Sequence, residues 1–450
     1  MTDQKDLLFE KAPVPAAYFK LALPVVFGMV ISLVYNMVDT YFIAQTHNTA
    51  LIAGVSLSAP MFTFLIAMGD IFGLGGSSLL SRLLGQRKEA DAKRLSAVCF
   101  YASLALGLVI AAAMLLLKNP ILTLLGADAE TWQHAGAYYT WLAVGAPFVV
   151  VSFTPANLLR TEGFATASMV GNMIGAVVNI ILDPVFIFAL NGGAAGAAAA
   201  TSLGNVCAVG YYVWFLLFRS RKLSVDPRLV KASGQEMGSI LSIGIPASIT
   251  NLAQSLGAAL LNRFLLPYGT VCVAAMGIVM KVNMIAVLVL VGFAFGAQPL
   301  IGFNYGAGNR RRLGQILRFA YGFECGLALA LSAILWLAAP MLLRLFVNDS
   351  AIIEAGVPMM RMQMLSMVCV AAVLVSTVLF QSLGNAPSAF ALSASRQGVI
   401  FVPVLLAASR LGGYTGVIAS QPMADLLTAC LMALLLLGTV RQLRNMPDRG

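Results

Sequence analysis

Two acidic residues stand inside apolar stretches long enough to cross a bilayer. Asp39 is the one charged side chain in LALPVVFGMVISLVYNMVDTYFIA, residues 21–44, and Asp183 lies in NIILDPVFIF. A carboxylate in a membrane helix is costly unless it is paired, protonated or facing water, so it marks a functional site by default. Each acid has a polar residue four positions earlier, Tyr35 before Asp39 and Asn179 before Asp183, which sets each pair on one helix face. Carboxylates with oxygen-bearing neighbours can bind and release a proton or a hard cation. A multi-histidine or multi-cysteine metal centre is excluded: His47 and His134 sit in short polar connections, and the six cysteines are scattered singly without a CxxC pair.

The elements that must hold these acids are membrane spans. The chain has 450 residues, 60% hydrophobic and 10% charged, with a mean hydropathy of +0.88. Soluble domains carry about 25% charged residues, so this composition describes a polytopic membrane protein. The first apolar run is too long for a signal-peptide core, and no small-residue cleavage site follows it. Apolar spans fall at about 21–44, 51–76, 95–117, 132–156, 164–190, 194–218, 238–262, 273–303, 314–339, 356–380, 390–409 and 414–438. The first alone spans ~30 Å of hydrocarbon at ~1.5 Å per residue. The expected fold class is all-α integral membrane, with twelve transmembrane helices.

Basic residues set the orientation. Lys5, Lys11 and Lys20, then Arg82, Arg87, Lys88, Lys93 and Arg94, then Arg219, Arg221, Lys222, Arg228 and Lys231, then Arg310, Arg311, Arg312 and Arg318 all fall at one side, joined by Arg160, Arg396, Arg441, Arg444 and Arg449, against Lys118, Arg263, Arg344, Arg361 and Arg410 at or near the other. Both termini are therefore expected in the cytoplasm. The net charge of +10 does not indicate nucleic acid, because the basic residues alternate between connections instead of forming one face. The run GNRRR reads as topology, since no GxxxxGK[ST] accompanies it.

The chain repeats itself. FGLGGSSLLSRLLGQ at 72–86 aligns with FAFGAQPLIGFNYGA at 293–307, Pro24 with Pro246, and GGAAGAAAAT at 192–201 with GGYTGVIASQ at 412–421. The halves are read as domains 1–225 and 226–450, joined by the polar linker RSRKLSVDPRLVKASGQE. Six spans is an even number, so both halves enter from one side. This predicts two parallel six-helix repeats with a central cavity between them. The acids break the symmetry: Asp39 aligns with Leu261 and Asp183 with Val402, so cation chemistry is expected in the first half alone.

Depth agrees with a single site. The first and fifth spans run outward and place Asp39 and Asp183 at much the same level, with Thr201 slightly deeper on the sixth. Tyr35, Asn179 and Thr201 are candidate ligands, although residues of these types also join helices structurally. Pro24 removes a helical bond in the first span and Pro184 frees the carbonyl of Ile180, so both are candidate hinges, the alternative being a static kink. Lys281 in the eighth span is a candidate cavity charge or a snorkelling side chain. Asp70, Glu324 and Asp425 fall nearer the cytoplasmic ends, where solvation or pairing is expected.

The motifs LPVVFGMVISLVYNMVDTYFIA, NIILDPVFIF and GAQPLIGFNYGAGN, with the six-plus-six repeat, resemble the multidrug and toxic compound extrusion (MATE) family in its DinF/MepA-like branch, over nearly the full length. The resemblance implies a MATE-type fold and a secondary active efflux antiporter, not an enzyme. It would export cationic and amphipathic drugs in exchange for H⁺ or Na⁺ by alternating access, without a cofactor. It also implies a cation site at Asp39, Asn179, Asp183 and Thr201, beside Tyr35, and a recurring motif at Lys281. Acids of the Na⁺-coupled branch are missing at Leu261 and Val402, which places H⁺ ahead of Na⁺. The expected setting is the bacterial cytoplasmic membrane, as a monomer in lipid with small-molecule partners and no nucleic acid. Two rivals are a flippase for lipid-linked or oligosaccharide substrates and an intramembrane aspartyl protease. The first calls for a strongly cationic cavity. The second needs acids sharing a proton and a GxGD motif, which AMGD at 67–70 matches only partly.

Overall fold

The computed structural model describes residues 6–445; Lys5 and Arg449 lie outside the described residues. Nine long helices follow in order: α1 Val14–Ala44, α2 Thr49–Gly85, α3 Glu89–Leu116, α4 Trp132–Thr161, α5 Ala165–Pro184, α6 Gly193–Phe218, α7 Gly234–Leu265, α8 Thr270–Ala307 and α9 Arg310–Phe346. The tenth, α10, is a pair, Ser350–Met364 and Met367–Leu383, bent by 45°. α11 begins at Ala386–Ala394, widens through a π-turn at Ser395–Val399, and ends where Gly413 (φ 52°, ψ −130°) breaks the run Phe401–Asn445. The remainder of that run is α12. The twelve expected spans are thus present among the described residues.

Local chemistry sets the ends. Asn48, Ser233, Asn309, Asp349 and Asn385 each accept a backbone N–H of the helix they precede, and Ser233 forms a capping box with Glu236. Gly308 and Gly384 close α8 and α10 in the left-handed region, at φ 73° and 78°. The helices overrun their apolar cores: α2, α8 and α9 have 37, 38 and 37 residues, more than a bilayer requires.

The two halves meet along a glycine-lined seam at the end of the bundle that carries the termini. There α2 lies against α7 and α8, and α1 against α8. A Cβ on Gly75 or Gly244 would collide with the carbonyls of Ile240 or Ile71, and one on Gly292 would stand 2.7 Å from Val26. Across the same seam Ser77 donates to Gln298 at 3.3 Å and Ser78 to the Gln381 carbonyl. Arg82 reaches the Leu383 carbonyl of α10 at 3.4 Å. Toward the other end Val34, Met37 and Tyr41 of α1, Ile249 and Leu256 of α7, and Met284 and Ile285 of α8 are exposed.

The short helix Asp6–Glu10 lies over this seam and touches both halves. Phe9 stacks on Phe303 of α8 at 4.9 Å, and Arg312 of α9 donates to the Phe9 and Ala12 carbonyls at 2.6 and 2.7 Å. Glu10 pairs with Arg87 of the first half at 2.5 Å.

Two charged residues, Arg396 and Glu324, stand elsewhere than expected, while Asp425 is paired as expected. Arg396, read as a topological marker, lies inside α11 and pairs with Asp425 of α12 at 3.0 Å. Ser366 and Gln421 also donate to that carboxylate, at 2.8 and 3.1 Å. An arginine and an aspartate in apolar surroundings neutralise each other, which sequence position along single spans does not reveal. Glu324 is likewise not solvated: it is fully buried on α9.

A candidate cation site in the first half

Close packing creates the site. Gly28 of α1 faces Asn172 and Met169 of α5, at 3.6 and 3.9 Å from its Cβ position. Gly175 of α5 and Gly204 of α6 face each other so closely that a Cβ on Gly204 would stand 2.6 Å from the Gly175 carbonyl oxygen. Small residues at these crossings let three backbones converge. Pro184 ends α5 directly after Asp183, and the chain continues through a π-turn, Val185–Ala189, whose Phe186 carbonyl packs on Gly192 and Gly196 at the start of α6. A π-turn beside an acid leaves carbonyls out of the α-helical ladder, as functional sites often require.

On this frame the predicted residues come together. Asp39 and Asp183 lie within hydrogen-bond reach of each other. With its nitrogen toward Asp183, the Asn179 amide donates to Oδ2 at 3.3 Å and its oxygen accepts from the Thr201 hydroxyl at 3.2 Å. Asp183, Asn179 and Thr201 are buried at 0%, 2% and 5% exposure, while Asp39 and Tyr35 are half-buried. Asp39 keeps one buried oxygen, Oδ1, without a hydrogen-bond partner. An orphaned carboxyl oxygen among oxygen donors fits a proton or Na⁺ better than a soft metal. Among the described residues no group of three or more His, Cys, Asp or Glu is gathered as for a metal ion.

Two other candidates differ from this group. Pro24 sits within α1, which runs through it unbroken from Val14 to Ala44. Lys281 is exposed on α8, in the second half, and takes no part in the carboxylate cluster. Sequence reasoning missed Tyr138 of α4, which is buried and feels the field of both carboxylates and of Tyr35. It missed Asn205 too, which accepts from Ser152 of α4 at 3.2 Å and donates to the Thr201 carbonyl at 2.9 Å. Its spacing from Thr201, one helical turn, was the available signal.

A many-span helical bundle whose first half brings a buried and a half-buried acid together in oxygen-rich surroundings has the build of an ion-linked membrane transporter. The MatE family model matches twice, at residues 24–185 and 246–406, and the chain belongs to that family. It is similar to the multidrug export protein MepA of Staphylococcus aureus (31% identical over 441 residues, 98% of this chain and 97% of that one). The MepA protein of Staphylococcus saprophyticus is 29% identical over 437 residues, 97% and 96% of the two chains. Among solved structures, an outward-facing multidrug resistance MATE family transporter of the MOP superfamily superposes with a TM-score of 0.91 at 26% identity, over 99% of this chain and 100% of that one. A MOP superfamily transporter from Pyrococcus furiosus gives 0.91 at 25% identity with the same coverage. The expected MATE membership and fold are therefore correct, as is the expectation of a transporter and not an enzyme.

Proposed function

We propose that this protein is a multidrug efflux antiporter that exchanges cationic or amphipathic compounds for H⁺, with Na⁺ as the alternative coupling ion. The observation that carries the reading is the meeting of Asp39 from α1 and Asp183 from α5 in one pocket with Asn179 and Thr201. The basic residues at the seam end support a cytoplasmic position for that end and for both termini. Residues 1–225 and 226–450 act as two lobes, and the drug binds between them, against the exposed apolar faces of α1, α7 and α8.

The cycle follows from charge. Two carboxylates held together repel each other until a cation neutralises them. Arrival of H⁺ or Na⁺ from outside lets α1 repack about Pro24, with Pro184 as the hinge at the end of α5, the cavity contracts, and drug leaves outward. The lobes then rock, the cation leaves inward, and drug from the cytoplasm or inner leaflet resets them. When the compound exchanged is uncharged, one charge crossing 100 mV supplies ~2.3 kcal/mol, enough for roughly a fifty-fold gradient; a monovalent cation exchanged one for one is driven by the ion's concentration gradient instead. The apolar positions Leu261 and Val402 in the second lobe favour H⁺. The names of the MepA relatives support drugs as substrates over lipid-linked sugars, and Lys281 alone is a thin cationic cavity for the latter.

Asp39→Asn tests this directly. Vesicles holding the variant should lose ethidium efflux under both an imposed pH gradient and an imposed Na⁺ gradient, while the protein elutes and melts as wild type. Wild-type efflux from that variant would end the assignment.

A further inference from the structure

Glu324 is a second ionisable group inside the bundle, and the cation site does not use it. It lies on α9 of the second half, and its Oε1 accepts a hydrogen bond from the Tyr18 hydroxyl of α1, in the first half, at 3.2 Å. Both side chains are fully buried, and Glu324 Oε2 has no partner. Tyr18 is ringed by Phe19, Phe293, Phe319 and Phe323, with centroid distances of 5.2 to 6.4 Å. The titratable groups facing Glu324 are Tyr18 from α1 and Cys325 from α9 itself, with Cys369 of α10 beyond Cys325; α8 presents Phe293. Among the described residues no lysine, arginine or histidine pairs with it.

A carboxylate with one phenol donor, one orphaned oxygen and an aromatic surround carries a desolvation cost of several kcal/mol that a neutral acid escapes. The contact also joins the two halves, on the helix that carries Asp39 and six residues before Pro24. Parting α1 from α9 would admit water to both groups.

We propose that Glu324 is a second proton-binding group, loaded while the lobes are closed at the cytoplasmic end and emptied into the cytoplasm when α1 and α9 separate. The O–H bond of its carboxyl breaks on opening and the proton passes to water; on closing the carboxylate takes one back. This rests on the alternating-access reading, but it concerns the face opposite to the one that loads Asp39 and Asp183. The sign follows from linkage. The closed form holds one proton more, so the open-to-closed ratio rises with pH, about tenfold per pH unit over the window in which only the closed form keeps it.

Hydrogen exchange of the full chain in lipid nanodiscs, read on seam peptides from 71–85 and 292–306 and corrected for the intrinsic pH dependence of exchange, measures that ratio. In Glu324→Gln the slope against pH should fall by one proton, about tenfold per pH unit, because the amide stays neutral in both forms. In Asp39→Asn the Glu324 contribution should persist, so loss of the antiport reading and loss of this proposal give different results. A Glu324→Gln protein with the wild-type slope overturns it. Should that variant not fold, Tyr18→Phe carries the test. A folded Tyr18→Phe protein that keeps the slope supports a neutral acid, whereas failure to fold shows an anion dependent on the phenol and overturns the proposal.

Discussion

A methyl group at position 85 should unbalance the two lobes. Gly85 closes α2 at the seam, where a Cβ would stand 2.8 Å from the Ala307 nitrogen and closer still to the Phe303 carbonyl oxygen. Ordinary contact begins near 3.4 Å and both neighbours are backbone, so no side chain can turn aside. Gly85→Ala therefore forces α2 and α8 apart by about 1 Å, and overpacking of that kind costs about 1–3 kcal/mol. The penalty falls on the seam-closed form alone, because separated lobes give the methyl room. That energy shifts the ratio of open to closed molecules by roughly 5- to 150-fold. Exchange of seam peptides 71–85 and 292–306 in nanodiscs should accelerate accordingly, and ethidium efflux should slow as the outward-open state is depleted. Gly210→Ala, on α6 with open space around it, is the control and should change neither. Unchanged seam protection with full efflux in Gly85→Ala would show that close backbone approach here does not set the balance of states.

Other outcomes follow from the two charged clusters. Asp183→Asn should remove cation-driven efflux as Asp39→Asn does, while drug binding to detergent-solubilised protein, read by fluorescence anisotropy, persists; loss of binding as well would assign Asp183 to the drug pocket. Thr201→Val keeps the volume and removes the hydroxyl that Asn179 accepts from, a loss of about 1 kcal/mol, so the half-saturating coupling-ion concentration for efflux should rise roughly fivefold. Arg396→Met strands the Asp425 carboxylate and should cost about 3 kcal/mol or more, seen as a lower melting temperature. Adding Asp425→Leu should recover most of that loss; if the double variant melts no higher than the single one, the arginine contributes something beyond charge balance.

The acids were legible because charge inside an apolar run is rare and costly whatever the fold. Asn179 was legible by its four-residue spacing, and Thr201 by depth. Their convergence was not, since it depends on backbone crossings at Gly28, Gly175 and Gly204 that no single span announces. Tyr138 was missed because a tyrosine in an aromatic-rich span has no distinguishing spacing. Arg396 was misplaced for a definite reason: position along one span says how deep a charge lies, but its partner belongs to another helix. The π-turn after Pro184 was only half visible, as the freed Ile180 carbonyl and not as the wider helix that follows.

The helix Asp6–Glu10 has dues on both sides of the molecule. Arg312 and Phe303 fasten its backbone and ring to the second half, while Glu10 is tied to Arg87 of the first. Under the proposed rocking of the lobes it could not follow both, and one set of ties would have to break. The breakage would be felt at Pro13, the single residue between Ala12 and α1.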